Sequence, residues 1–118
     1  MGTLGELERV VMDALWDADA AQTAYDVQST LEAGGRTLAA TTLLTVLSRL
    51  EKKGFVASER SSRPHRYTAV ASRSEHVAEL MHAVLGDAND RTAVLERFVG
   101  GVSSEDAAIL RQLLGRSS

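Results

Sequence analysis

Residues 41–55 read TTLLTVLSRLEKKGF, and this stretch limits the fold more than any other. At 100° per residue, Leu43, Val46, Leu47 and Leu50 share one helical face, and that stripe has to be buried. Thr41, Leu44, Thr45, Ser48, Arg49 and Lys52 gather on the opposite side. A face turned only to water is better filled by Glu, Lys or Gln, because β-branched Thr loses side-chain freedom in a helix. Short hydroxyl groups beside an Arg let another molecule approach closely and offer it donors and acceptors. The same pattern also suits an ordinary amphipathic helix, so the flanking residues must decide.

This helix is the third of three. Leu4, Leu7, Val10, Val11, Ala14 and Leu15 recur at helical spacing, which predicts a first helix over residues 4–16. Thr3 and Glu6 are spaced as a capping box at its start. DADAAQ follows as a loop. Thr23 can cap a second helix, with Asp26 three positions on, Val27 and Leu31 as apolar contacts, and Gly34–Gly35 as its stop. The third helix covers residues 40–54. FVASER and RYTAV then read as two short strands by β-propensity, and SSRPH, with the only proline, is the basic loop between them.

After Ala71 the pattern is purely helical. Ser72 and Glu75 have capping-box spacing ahead of Val77, Leu80, Met81, Val84 and Leu85. GDAND interrupts. Val94, Leu95, Phe98 and Val99 lie on a short helix ending in Gly100–Gly101, and Ser103 or Ser104 opens a last one carrying Ile109, Leu110, Leu113 and Leu114. The expected fold is mainly α: three helices and a β-hairpin over residues 1–71, then a helical segment over 72–118.

Charge separates these parts. Residues 36–66 hold seven cations, Arg36, Arg49, Lys52, Lys53, Arg60, Arg63 and Arg66, against Glu51 and Glu59, a balance of +5 in a chain whose net charge is −3. A basic stretch in an acidic protein is a local electrostatic footprint for an anionic partner. There is no cysteine, which excludes disulfides, zinc fingers and thiol nucleophiles and fits a reducing compartment. No apolar run approaches the ~20 residues of a membrane helix, and MGTLGELERV lacks the regions of a signal peptide. A cytoplasmic location is expected.

Three helices followed by a basic hairpin is the winged helix-turn-helix order, in which the third helix enters the major groove and the hairpin loop reaches the backbone or minor groove. Thr41, Thr45, Ser48, Arg49 and Lys52 would then face double-stranded DNA, with Leu44 placed to touch a thymine methyl. Arg60, Arg63 and Arg66 flank or occupy the loop.

LGELERVVMDALWD, followed by TLAATTLLTVLSRLEKKGFVASERSSRPHRYTAV, closely resembles the BlaI/MecI family of penicillinase-type repressors over essentially the whole chain. The resemblance implies a winged-helix repressor that dimerises through a C-terminal helical segment and binds palindromic, inverted-repeat operators. It matches Thr41, Thr42, Leu44, Thr45 and Arg49 to the family's groove-facing positions. Leu44 stands where some members carry Arg, and Ala39 where a capping Ser is common. VLERFVGG resembles the segment that members present to a membrane-bound metalloprotease sensor, with Arg97–Phe98 matching the cut.

The tail is too small to bury three apolar stripes against itself. Homodimerisation through Leu80, Val84, Phe98, Leu110 and Leu113 would cover them and relate two recognition helices by a two-fold axis. Folding back on the N-terminal part is the other possibility. No cofactor and no catalytic set is expected. His76 and His82, six apart, do not share a helix face, and His65 beside Arg66 belongs to the wing or its strand. Copper-sensing relatives carry cysteine pairs near the C-terminus, and this chain has none. Two functions stay open: a dimeric DNA-binding repressor, and a winged-helix module that binds protein and no DNA.

Overall fold

A computed structural model describes residues 4–117. The order is α1 (Glu6–Asp17), β1 (Gln22–Thr23), α2 (Ala24–Ala33), α3 (Ala40–Lys52), β2 (Val56–Glu59), β3 (Arg66–Ala69), α4 (Arg73–Gly86), α5 (Arg91–Gly101) and α6 (Ser104–Ser117). The strands form one antiparallel sheet in the order β1-β3-β2, with Val56 opposite Ala69 and Glu59 opposite Arg66. This is the winged helix-turn-helix architecture. The described residues divide into two compact units, one ending at His76 and one beginning at Val77. No helix among them is long and apolar enough to cross a membrane.

In the first unit the apolar stripes converge as the periodicity requires. Val11, Met12 and Leu15 of α1, Val27 and Leu31 of α2, and Leu43, Val46, Leu47 and Leu50 of α3 form one buried core, closed by Phe55 and Val56. Each such side chain contributes about 1.5–3 kcal/mol by leaving water. The stops on α2 and α3 are chemically alike. Gly35 (φ 91°) and Gly54 (φ 87°) adopt the left-handed conformation that other residues avoid. Behind Gly54, the Phe55 N–H donates to the Leu50 carbonyl at 3.0 Å and the Gly54 N–H to Glu51 at 3.1 Å. Behind Gly35, Arg36 and Gly35 donate to Leu31 and Glu32 in the same way. Gly54 therefore aims Phe55 back under Leu50, into the core.

Caps place the helix starts. Thr23 Oγ1 accepts from the Asp26 N–H at 3.1 Å while Asp26 accepts from the Thr23 N–H at 3.0 Å. Ser72 and Glu75 form the same reciprocal pair, and that is the main reason the Glu75 carboxyl titrates below its usual range. The box expected at Thr3 lies outside the described residues. At the start of α1, the Gly5 N–H donates to Glu8 Oε1 at 2.8 Å. β1 was not expected. It pairs Gln22 with Tyr67 and Thr23 with Arg66. Thr23 is already extended because an N-cap residue takes β-region angles (φ −77°, ψ 164°), so the approach to α2 doubles as a strand. Helix α5 begins at Arg91, directly after GDAND, because Asp90 caps it through the Ala93 N–H at 3.1 Å.

The first unit also takes the opening turn of α4. His76 is buried, with its ring 5.3 Å from Trp16 and edge-on to Phe55 at 5.4 Å. Trp16 Nε1 donates to the Ala71 carbonyl at 3.0 Å, and Arg73 pairs with Asp13 and Asp17 of α1 while lying over the Trp16 ring. The second unit is different in kind: no described side chain from Val77 onward is buried.

Candidate nucleic-acid interface

Burying Leu43, Val46, Leu47 and Leu50 turns the other side of α3 outward. Thr41, Thr42, Leu44, Thr45, Ser48, Arg49 and Lys52 are all exposed there. Thr45 Oγ1 donates to the Thr41 carbonyl at 3.0 Å. Its proton is therefore spent on its own helix, and it presents a methyl group and acceptor lone pairs outward. Ala39, the N-cap of α3, makes no side-chain cap. The first N–H groups of the helix are left for an outside acceptor, and the helix dipole favours an anion there.

The hairpin carries the cations. Arg60, Arg63 and Arg66 are exposed, but they are held differently. Arg60 pairs with Glu51 at 3.0 Å, and the same carboxylate accepts from Ser58 Oγ at 2.6 Å. The Ser58 hydrogen bond is the first cause of a Glu51 pKa below the usual carboxylate range, with Arg60 adding to it. Glu51 thus ties the end of α3 to β2 and the wing. Lys53 binds Glu8 of α1 at 2.8 Å, and Arg36 lies 3.6 Å from Glu6. Of the seven cations in residues 36–66, these three are drawn into pairs with acids. Arg49, Lys52, Arg63 and Arg66 form no ion pair among the described residues, and they lie on the outward face of α3 and on the wing.

Sequence reasoning placed the α3 and wing residues but missed Glu51 and Ser58. The available signal was that Glu51 is one of only two acids in a strongly basic stretch. The tail residues Val84, Phe98 and Leu113 are exposed, and Leu80 and Leu110 are half-buried. Leu80, Val84 and Phe98, with Met81, Leu85, Val94 and Leu95, line an apolar groove of about 460 Å³ between α4 and α5. Arg97 and Phe98 lie inside α5, so the bond between them is helical.

A family model described as penicillinase repressor matches residues 4–116. The chain belongs to the penicillinase repressor family. It is 46% identical over 114 residues to the transcriptional regulator BlaI of Mycobacterium tuberculosis, in strains CDC 1551 / Oshkosh and ATCC 25618 / H37Rv alike; the match covers 94% of this chain and 82% of the relative. Among solved structures it is similar to a MarR family protein from Bacillus stearothermophilus (TM-score 0.52, 16% identity, 98% of this chain and 73% of that one). It is also similar to the hsRosR-S1 complex structure (TM-score 0.53, 20% identity, 91% and 95%). These two likenesses concern the fold. As a member of the penicillinase repressor family the chain is a DNA-binding transcriptional repressor, not an enzyme.

Proposed function

We propose that the protein is a cytoplasmic homodimeric repressor that sets two α3 helices into successive major grooves of an inverted-repeat operator. Arg49 and Lys52 meet base edges and phosphates, and Arg63 and Arg66 brace the flanking backbone. Residues 1–71 supply the DNA-binding domain and residues 72–118 the dimerisation segment. The observation that carries this reading is the sorting of charge. Arg36 and Lys53, directed elsewhere, are paired with acids, as is Arg60 just after β2, while Arg49 and Lys52 on α3 and Arg63 and Arg66 on the wing form no ion pair among the described residues and are left for an outside anion. Dimerisation is supported by the tail: helices of 11 to 14 residues are marginal in water unless their apolar faces are covered.

Titrating the full-length protein onto an inverted-repeat duplex and onto a single half-site is the test. The intact repeat should bind far more tightly, and sedimentation should give two chains per duplex. Equal affinity for the two duplexes removes the dimeric reading.

Release from DNA fits cleavage at Arg97–Phe98 by a membrane-bound metalloprotease sensor. Cutting there detaches α6 and divides the apolar surface of the tail, leaving monomers that lack the avidity of the pair. A protease needs extended backbone, so α5 has to open locally first; Gly100 and Gly101 in its last turn lower that cost. Mass spectrometry of protein recovered from cells under cell-wall stress checks this. Full-length chain alone, with the target genes induced, excludes cleavage as the route.

A further inference from the structure

Tyr25, in the first turn of α2, is unexplained by the core and by the interface described above. It is 73% exposed, more than any other large apolar side chain among the described residues. Trp16, Phe55 and Tyr67 all pack in or against the core. Tyr25 lines a depression of about 270 Å³ together with Leu44, Arg63, Pro64, His65 and Tyr67. Leu44 belongs to the outward face of α3 and Arg63 to the wing loop, so the depression joins the two parts of the DNA-facing surface.

Its chemistry is mixed in one way only. Tyr25, Leu44, Pro64 and Tyr67 give it apolar walls. Among its lining residues, Tyr25 and Tyr67 carry hydroxyls, Arg63 a guanidinium and His65 a ring N–H that can donate, and none carries a carboxylate. The nearby Asp26 carboxylate is turned back onto the Thr23 N–H. Apolar walls with donors and a cation fit one unit of a duplex backbone, where an apolar sugar face adjoins an anionic phosphate. A base would have to leave its stack to enter, at a cost of a few kcal/mol, whereas every nucleotide presents its sugar and phosphate without rearrangement.

We propose that this depression seats one sugar–phosphate unit per half-site, with Tyr25 and Arg63 donating to the phosphate and the sugar lying against Leu44 and Pro64. The proposal rests on the DNA-binding reading and adds to it a residue outside α3 and the wing. Tyr25 is a positioning residue: it fixes the register of α3 in the groove and reads no sequence. Leu44 then serves the sugar and not a thymine methyl.

The test uses the full-length protein and duplexes recovered by in vitro selection with it. Tyr25→Phe removes one neutral donor from an exposed position. Binding should weaken about three- to tenfold, the range of one hydrogen bond, equally on every selected sequence. The salt dependence should keep its slope, because no cation is lost; Arg63→Ala should make that slope shallower by about 1. Methylphosphonate placed at one phosphate at a time should reveal a single position per half-site where the Tyr25→Phe loss vanishes. Wild-type affinity in Tyr25→Phe, a loss confined to one base pair, or a loss that persists at every neutralised phosphate overturns the proposal alone. Failure of the wild-type protein to select any duplex overturns it together with the DNA-binding reading.

Discussion

The two units of this chain are built from similar residues with opposite results. Among the described residues, the unit ending at His76 buries twelve apolar side chains, enough for a core of its own. The unit beginning at Val77 carries Met81, Val84, Phe98, Val99, Ile109 and Leu114 and leaves every one of them exposed. The first unit has three helices crossing over a sheet, so each stripe meets two others. The tail has three helices that leave a groove between α4 and α5. Hydrophobic content alone therefore does not measure stability; what counts is whether the faces that carry it can meet within one chain. The first unit is complete in this sense, and the second is an unfinished core.

The largest test cuts the chain between them. A fragment ending at His76 keeps the Trp16–His76–Phe55 ring cluster and the Arg73 pairs with α1, which a cut at Ala71 would remove. It should fold, sediment as a monomer and lose roughly 10²- to 10⁴-fold in affinity for an inverted repeat, because the second half-site no longer binds at high effective concentration. A dimeric fragment would break the comparison. A smaller effect comes from single core residues. Leu47 is fully buried, so Leu47→Ala should cost about 2–5 kcal/mol in the unfolding of that fragment. Val84→Asp in the full-length chain should leave the melting of the winged unit unchanged and weaken self-association, measured by sedimentation against concentration.

Much of this architecture was legible because it is periodic or punctuated. The Leu43, Val46, Leu47, Leu50 stripe, the Gly35 and Gly54 stops and the Thr23–Asp26 cap are all local, and each follows from spacing within a few residues. What escaped was non-local or too short for a period. β1 has two residues and exists only because β3 lies beside it. Lys53 and Glu8 are 45 positions apart, and nothing in either neighbourhood announces the other. His76 reads as part of a tail helix, yet the fold places it between Trp16 and Phe55. The outward face of α3 was legible for a negative reason, its lack of good solvent residues. Tyr25 was not, because an isolated aromatic has no pattern.

Arg49 sharpens the functional side of the comparison. It is exposed on α3 with no ion pair to a described acid, so its guanidinium is available to a base edge or phosphate. Arg49→Ala should cost about 1–3 kcal/mol in operator binding while leaving the melting temperature near wild type. Loss of folding in place of binding would mean that Arg49 serves the winged unit itself, through its electrostatic pull on Glu8.

The smallest effect concerns pH, and it also lies in the first unit. Glu8 is buried, and its carboxyl is held below the usual 4.5, first by the hydrogen bond from Lys53 and then by the Gly5 N–H. A carboxyl with a depressed folded-state pKa stabilises the fold fully above its unfolded value, and that contribution fades as pH falls through the folded value. The melting temperature of the His76 fragment should therefore stay level on this account from neutral pH down to about 5 and decline below about 4.5. Lys53→Met removes the larger of the two causes. It should lower stability at neutral pH, where the Glu8 charge would be left buried beside one N–H, and make the acid decline shallower, because the folded and unfolded pKa values come closer together. Parallel acid profiles for the two proteins would show that Lys53 does not set the Glu8 titration. The acid sensitivity would then have to come from Glu51 and Glu75, whose carboxyls are also depressed by hydrogen bonds within this unit.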